Sequence, residues 1–466
     1  MAAYDVPGLA LAIVVNDEIV LAKGYGVLEQ GKPERVDEHT VFAIASNTKA
    51  FVGTALGMLA AEGKLDWDDR VVERWPAFRT WDEHTTRELR VRDLVSHRSG
   101  LDTWAGDLAW IGSSIDTPSL LARLPAVEAS FGLRERYGYT NLMFVVAGEV
   151  IRAVSGQTWD AFVRERLIEP LGMTRTTTSV DALAGQDNVA TPHMPEGDAL
   201  IVVPYLNVDA AGAAAALNSS VADMVQWLRV QLSDGTLDGR SIIPAEVVSS
   251  IRVPHTPIAL PASDSFDPPR HFVAYGLGWF LYDYAGRLVV THGGGLPGMT
   301  SRVGLVPEEG LGVVVLTNSE TPASQLVFLD VVDGYLGLPP RDHVALAKAR
   351  AERSENEISE ATPPDDAATP VAPTAYVGKY QHPLLGRAEV NERDGKLELR
   401  LVDHGGLDCT LEPKPENRFG CTWSNPIFGH SEIPFELDKK RAARFRVRVR
   451  PEFIDPLEYR FERAAR

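Results

Sequence analysis

Residues 8–15 (GLALAIVV) form an unbroken apolar run, Asn16-Asp17 interrupts it, and residues 18–23 return with mixed polarity. This pattern predicts two antiparallel strands joined by a tight turn. From 48 to 62 apolar residues recur at helical spacing, Ala and Leu are abundant, and Gly63 marks the stop, which predicts a helix. Further helices are predicted at 91–96, 141–155, 159–168, 221–232 and 324–336, and the one at 221 is entered through the capping sequence SSVAD. Between 272 and 318 the rhythm changes. GLGWFLYDYAGRLVVTHGG and SRVGLVPEEGLGVVVLTNS alternate, carry Val and aromatic residues, and break at Ala285-Gly286 and at 307–310. These are antiparallel strands joined by turns. The predicted fold class is α+β: an antiparallel sheet flanked by helices, with a helical lobe drawn from the middle of the chain.

Residues 354–373 (SENEISEATPPDDAATPVAP) are acidic, Pro-rich and poor in large apolar side chains, the composition of a linker. Beyond them the pattern is strand-like throughout. AEVNERDGKLELRLV places Asp394-Gly395 at a hairpin, and RFRVRVRPEF alternates. The expected division is a large α+β domain over 1–340, a connecting segment over 341–373 that is helical and then acidic, and a small all-β barrel over 374–466.

A length of 466 residues suits two domains. Lys+Arg 46 against Asp+Glu 64 leaves a formal charge of −18, which argues against nucleic acid and anionic membrane surfaces as partners. There is no apolar run of the ~18 residues a membrane span requires. The opening MAAYDVPGLALAIVV lacks a basic region and reads as a strand rather than a signal peptide, and the compartment stays open. Cys409 and Cys421 could bridge neighbouring strands or be free buried thiols, and free thiols are favoured here. His404 beside them does not complete a zinc set, and no metal or cofactor is expected.

Candidate chemistry enters with FAIASNTKAF. Ser46 and Lys49 form the only S-x-x-K tetrad in the chain, at the start of the predicted helix, where that spacing puts both side chains on one face. A lysine in an apolar segment has a lowered pKa, and a neutral amine can take a hydroxyl proton. The bland reading is a capping serine and a lysine that snorkels to water. RYGYTNLMF supplies Tyr139 and Asn141, for which a loop tyrosine and a capping asparagine are the plain alternative. VVTHGGGLPGM supplies His292, Gly293, Gly294 and Gly295: either a glycine-rich turn, or a strand edge left bare for a substrate backbone.

Taken together and in order, from about 6 to 338, these segments resemble the serine β-lactamase-like family of class C β-lactamases, D-alanyl-D-alanine carboxypeptidases and related esterases. The resemblance also takes in VPGLALAIV, LRVRDLVSHRSGL around His97 and Gly100, SSVADM, YGLGW and VVVLTN. It implies that Ser46 is a nucleophile forming an acyl-enzyme and that Lys49 and Tyr139 share the proton transfers. It further implies that Asn141 orients the substrate amide and Lys49, and that the N–H groups of Ser46 and Gly295 form an oxyanion hole. Where penicillin-recognising members carry K-T-G, this chain has His292-Gly293-Gly294, a weaker grip on a substrate carboxylate. The implied activity is hydrolysis of a small-molecule ester, D-amino-acid amide or peptide, with weak β-lactam turnover. The alternative is a penicillin-binding-like protein that captures ligand with little turnover. Members of the family usually carry a helix before the first strand, whereas only residues 1–5 precede it here.

The segment from Thr374 resembles the small lipocalin-like domain appended to some of these hydrolases, which could cover the active-site mouth, mediate homo-oligomers or bind an apolar ligand. Other motifs fall away. Pro33 replaces the hydroxyl residue of a P-loop after Gly26–Lys32, and neither G-x-S-x-G nor H-E-x-x-H occurs. His97 is expected to serve a structural turn rather than chemistry.

Overall fold

The computed structural model describes residues 1–197, 199–260, 268–359, 372–439, 441–449 and 454–464. Of the acidic Pro-rich stretch, 360–371 lie outside the described residues, as do 450–453 of RFRVRVRPEF.

Eight strands form one antiparallel sheet: β1 (Gly8–Val15), β2 (Glu18–Gly26), β3 (Thr256–Ile258), β4 (Val273–Tyr275), β5 (Phe280–Tyr284), β6 (Arg287–Leu296), β7 (Met299–Val306) and β8 (Leu311–Thr317). Their order is β2-β1-β8-β7-β6-β5-β4-β3, so the first hairpin pairs with the last strand through β1 and β8. β1 and β8 are apolar without alternation because both faces are covered. Ala10, Ala12, Val14, Val314 and Leu316 belong to the core shared with the helical lobe, whereas Leu9, Leu11, Ile13, Val313 and Val315 face the opposite core.

Five helices matter for the site: α1 (Thr48–Ala61), α2 (Asn141–Ser155), α3 (Val221–Leu232), α4 (Ala323–Tyr335) and α5 (His343–Ser359). α3 packs on β8 and β1 from the lobe side, entered through Ser220, whose side chain accepts the Asp223 N–H. α4 covers β7 and β8 from the other side and places Phe328 and Val332 in the second core. Ala2–Tyr4 is a single 3₁₀ turn, and Lys348 of α5 lies 5.6 Å over the Tyr4 ring. The predicted helix at 159–168 is an α-helix over Trp159–Val163 that continues as a wider π turn over Arg164–Ile168. The last predicted helix begins one residue early, at Ala323, and the connecting segment is helical to Ser359.

The helical spacing of α1 suggests one apolar face, yet Thr48 to Leu59 are all buried. Phe51 stacks on Trp227 of α3 at 3.8 Å. The turn between β4 and β5 lies against the backbone of α1. A Cβ at Gly278 would stand 2.5 Å from the Lys49 carbonyl oxygen, and φ is +95° there, so only glycine fits. Lys49 therefore starts from a helix with no exposed side.

The C-terminal strands close a barrel: β9 (Gly378–His382), β10 (Gly386–Arg393), β11 (Lys396–Leu401), β12 (Asp408–Lys414), β13 (Arg418–Thr422), β14 (His430–Asp438), β15 (Arg441–Val447) and β16 (Tyr459–Arg463). Alternation puts Leu397, Leu399 and Leu401 inside. Tyr380, Phe435, Phe445 and Phe461 fill the centre, with Phe445 and Phe461 stacked at 4.9 Å. An interior filled by side chains is a packed core, which disfavours the apolar-ligand role considered for this domain. The free-thiol expectation is corrected. Cys409 and Cys421 sit on the paired strands β12 and β13, 5.7 Å apart at Cα, and are bridged.

The barrel docks on the segment between α1 and α2. Gly405 N–H donates to the Gly112 carbonyl at 2.7 Å, His404 Nε2 to the Leu108 carbonyl at 2.9 Å, and Arg123 to the Leu384 carbonyl at 3.0 Å. The next part of that segment is tied down by one buried carboxylate. Asp93 holds Arg98 at 2.6 Å and Arg134 at 2.6 Å, joining the two ends of a stretch that stops shortly before Tyr139. Asp93→Ala leaves two guanidinium groups without their buried partner. It is expected to cost ~3–5 kcal/mol of stability, read as a lowered urea midpoint.

Candidate active site

Ser46 sits in a 3₁₀ turn, Ala45–Asn47, that runs directly into α1. Ala45 takes a left-handed φ of +48°, an uncommon conformation for a residue with a Cβ and one that concentrates at functional sites. The turn is held from three sides. Thr48 Oγ1 donates to the Ala45 carbonyl at 2.7 Å, Asn47 Nδ2 donates to Ser301 Oγ at 2.8 Å, and Ser301 Oγ donates to the Ile44 carbonyl at 2.9 Å. Ser46 is the one partly exposed residue in the otherwise buried run from Val41 to Ala50.

Lys49 is fully buried. Its Nζ lies 3.0 Å from Ser46 Oγ, 2.7 Å from Asn141 Oδ1 and 2.9 Å from the Ala214 carbonyl oxygen. Burial pulls the amine down to about 7, against the opposing pull of Asp107. Snorkelling to water is excluded. A neutral amine has two N–H bonds and one lone pair, and Asn141 Oδ1 and the Ala214 carbonyl can only accept. Those two contacts take both N–H bonds and leave the lone pair facing Ser46 Oγ.

Tyr139 lines the cavity beside Ser46, and its ring lies 4.8 Å from Lys49 Nζ. Burial raises the phenol far above its ordinary value, so it stays protonated. His97 underpins it. This histidine has φ +57°, its ring packs 4.1 Å from Tyr139, and its Nδ1 accepts the Thr140 N–H at 3.1 Å. Burial, then the neighbouring Lys49 and His292, hold His97 well below the usual imidazole range. The turn role expected for His97 is therefore one of support beneath Tyr139.

Asn141 is not the helix cap. Thr140 occupies that position, and Asn141 opens α2 with its side chain buried. Its Oδ1 faces Lys49, and its Nδ2 donates to Asp107 Oδ2 at 2.5 Å.

The glycine strand is more specific than either sequence alternative. β6 pairs with β7 along 290–296, but with β5 only as far as Thr291, opposite Phe280. From Gly293 to Leu296 the β5 side is open and lines a cavity of about 1240 Å³ together with Ser46 and Tyr139. Gly294 has a packing reason as well: a Cβ there would stand 2.1 Å from the Ile44 carbonyl oxygen. His292 is 1% exposed. Its Nδ1 donates to the Gly293 carbonyl at 2.7 Å, so Nε2 is the acceptor for the Tyr275 hydroxyl at 2.8 Å. Burial keeps this ring neutral. Both nitrogens are committed to the protein, so His292 shapes the strand and offers a substrate carboxylate no free donor.

Trp104, Trp110 and Phe280 form further walls of the cavity, and the barrel contributes Ile427 and Ile454. Asp107, Tyr275 and these barrel residues were not singled out from the sequence. Asp107 lies in a loop without periodicity, and nothing local in FIDPLEYRF links it to residues more than three hundred positions earlier. Among the described residues no helix is long and apolar enough to cross a membrane, and no cluster suits a metal ion.

A family model described as beta-lactamase matches residues 1–332, and one for a domain of unknown function, DUF3471, matches 362–463. The chain belongs to the beta-lactamase family, within which it is a hydrolase related to penicillin-binding proteins. It is 26% identical over 432 residues to the unguisins hydrolase of Aspergillus violaceofuscus, covering 84% of this chain and 75% of that one. The fold matches the octameric penicillin-binding protein homologue from Pyrococcus abyssi with a TM-score of 0.65 at 22% identity, over 99% of this chain and 97% of that one. A D-stereospecific amidohydrolase from Streptomyces sp. matches with a TM-score of 0.55 at 25% identity, over 68% and 91% of the two chains.

Gly294→Ala places a methyl group against backbone that cannot swing away. It is expected to cost about 1–3 kcal/mol and to displace the Ser46 turn. Urea unfolding and a crystal structure of the variant check the two parts.

Proposed function

We propose that the protein is a serine hydrolase that cleaves an amide or ester through an acyl-enzyme on Ser46, with Lys49 as the base. The observation that carries this reading is the buried Lys49 Nζ at 3.0 Å from Ser46 Oγ, with its other two contacts made to groups that only accept. As Oγ bonds to the substrate carbonyl carbon, its proton passes to Nζ. The charge that develops on the carbonyl oxygen is met by the N–H groups of Ser46 and Gly295. Tyr139, a phenol beside Ser46, relays the proton from Lys49 to the leaving group as the C–N or C–O bond breaks. Water then repeats the sequence on the acyl-enzyme and releases Ser46.

Substrates of D-amino-acid amide type fit best, supported by the D-stereospecific amidohydrolase among the structural relatives and by the open strand at 293–296, along which an extended backbone can lie. Asn141 is the group for the substrate amide beside that strand. The neutral, internally bonded His292 supports weak β-lactam turnover. The division at 1–340, 341–373 and 374–466, with the barrel as a wall of the cleft, is part of the same proposal.

A fluorophosphonate probe tests it. Labelling is expected in the wild type and lost in Ser46→Ala, and Lys49→Met should slow it by ~10²–10⁴-fold. Because Lys49 must be neutral to act, the labelling rate should rise with pH through an inflection near 7 and fall away below it. Steady turnover of D-amino-acid amides and p-nitrophenyl esters, faster than nitrocefin, supports the enzyme. A single acylation without turnover supports the ligand-capturing alternative, and fast nitrocefin hydrolysis overturns the argument from His292.

A further inference from the structure

Asn141 can serve Lys49 only with its carbonyl toward the amine, because its amide nitrogen would present a donor where the amine needs an acceptor. Nothing in the amide itself sets that choice. The structure sets it from the other side. Asp107 Oδ2 accepts from Asn141 Nδ2 at 2.5 Å, so the oxygen of Asn141 is turned to Lys49. Asp107 is in turn held by Trp110 Nε1 at 3.0 Å, and it is 2% exposed.

The loop that carries Asp107 is held from the other domain. Asp455, fully buried and located just before β16, accepts the Leu108 N–H at 2.9 Å, the Leu457 N–H at 3.0 Å and the Tyr459 hydroxyl. The backbone next to Asp107 is thus fastened to one barrel carboxylate. Burial, then the neighbouring Asp455, pushes the Asp107 carboxyl well above the usual carboxylate range, and burial pushes Asp455 up to about 6.

We infer that Asp107 is a positioning residue for the Asn141–Lys49 pair and that Asp455 makes the barrel part of that device, connecting the second domain to the base through the backbone of 107–108. This rests on the reading of Lys49 as the base. The groups facing Lys49 are Asp107 from the loop, Asn141 and Tyr139 from the entry to α2, His97 from its turn and His292 from β6. Those facing Asp107 are Asn141, Trp110, Lys49, Asp455 and, through Asp455, Tyr459. Of these, Asp107 is the one that favours the charged form of Lys49. Removing it must therefore lower the amine further and move the acid limb of the rate profile to lower pH.

The test measures fluorophosphonate labelling against pH for the full-length wild type, Asp107→Asn, Asp455→Ala and the barrel-surface control Arg460→Ala, with each rate normalised to the fraction of molecules that label at completion. In Asp107→Asn the partner of Asn141 becomes an amide that can donate or accept, so the orientation is no longer imposed. The rate plateau is expected to fall roughly 10- to 100-fold. The acid inflection should drop by on the order of one pH unit. Asp455→Ala should move both quantities in the same directions by less, and Arg460→Ala neither. A merely structural role reduces the labelling fraction and leaves the inflection where it was, and that result overturns the inference. Should Asp107→Asn not fold, Asp455→Ala carries the same two outcomes. If the wild type fails to label, or Ser46→Ala still labels, the reading of the site fails instead. If the wild type labels with its inflection near 7 and both acidic variants keep that inflection, only the present inference fails.

Discussion

One amine withheld from water governs this molecule. An ammonium group in an apolar helix is costly, and the protein avoids much of that cost by letting Lys49 lose its charge near neutral pH. Once neutral, the amine has only two hydrogens, and its surroundings offer two acceptors that cannot donate. The remaining lone pair meets the serine hydroxyl. Basicity, direction and reach thus come from a single act of burial, and the rest of the fold can be understood as the means of sustaining it.

Sustaining it takes several separate elements. The β4–β5 turn packs directly on the helix backbone at Lys49. β6 contributes the neutral His292, and the turn before α2 contributes Tyr139 propped on His97. The barrel adds Asp455 beneath the loop that orients Asn141. By keeping water from the amine these supports lower its tendency to hold a proton. Asp107 is the exception, and it keeps the value from falling further. A base poised close to neutrality is where proton transfer and correct protonation state are best balanced.

Much of this was legible in the residues. The two-period rhythm of the sheet, the bounds of α2 and α3, the S-x-x-K spacing and the Y-x-N pair each follow from local patterns that a strand, a helix or a helix entrance imposes. The barrel was legible from its alternation, though its filled interior was not, since alternation says which side chains point inward and nothing of how tightly they meet. The disulfide depended on which strands pair, and spacing alone left that open. Gly294 was read as bare for a substrate, whereas its first constraint is the carbonyl of Ile44 lying against it. Asp107 and Asp455 stayed hidden for a plain reason. They meet through loop backbone across 348 positions of sequence, and no periodicity encodes such a contact.

The most direct measurement is the titration of Lys49 itself. In protein carrying ¹³C-labelled lysine, the Cε resonance that disappears in Lys49→Met should titrate near pH 7 in the free enzyme, well below the ordinary lysine value. A resonance assigned in this way that titrates at the ordinary value near 10.4 would mean a solvated ammonium, and the account built on the buried amine would be wrong.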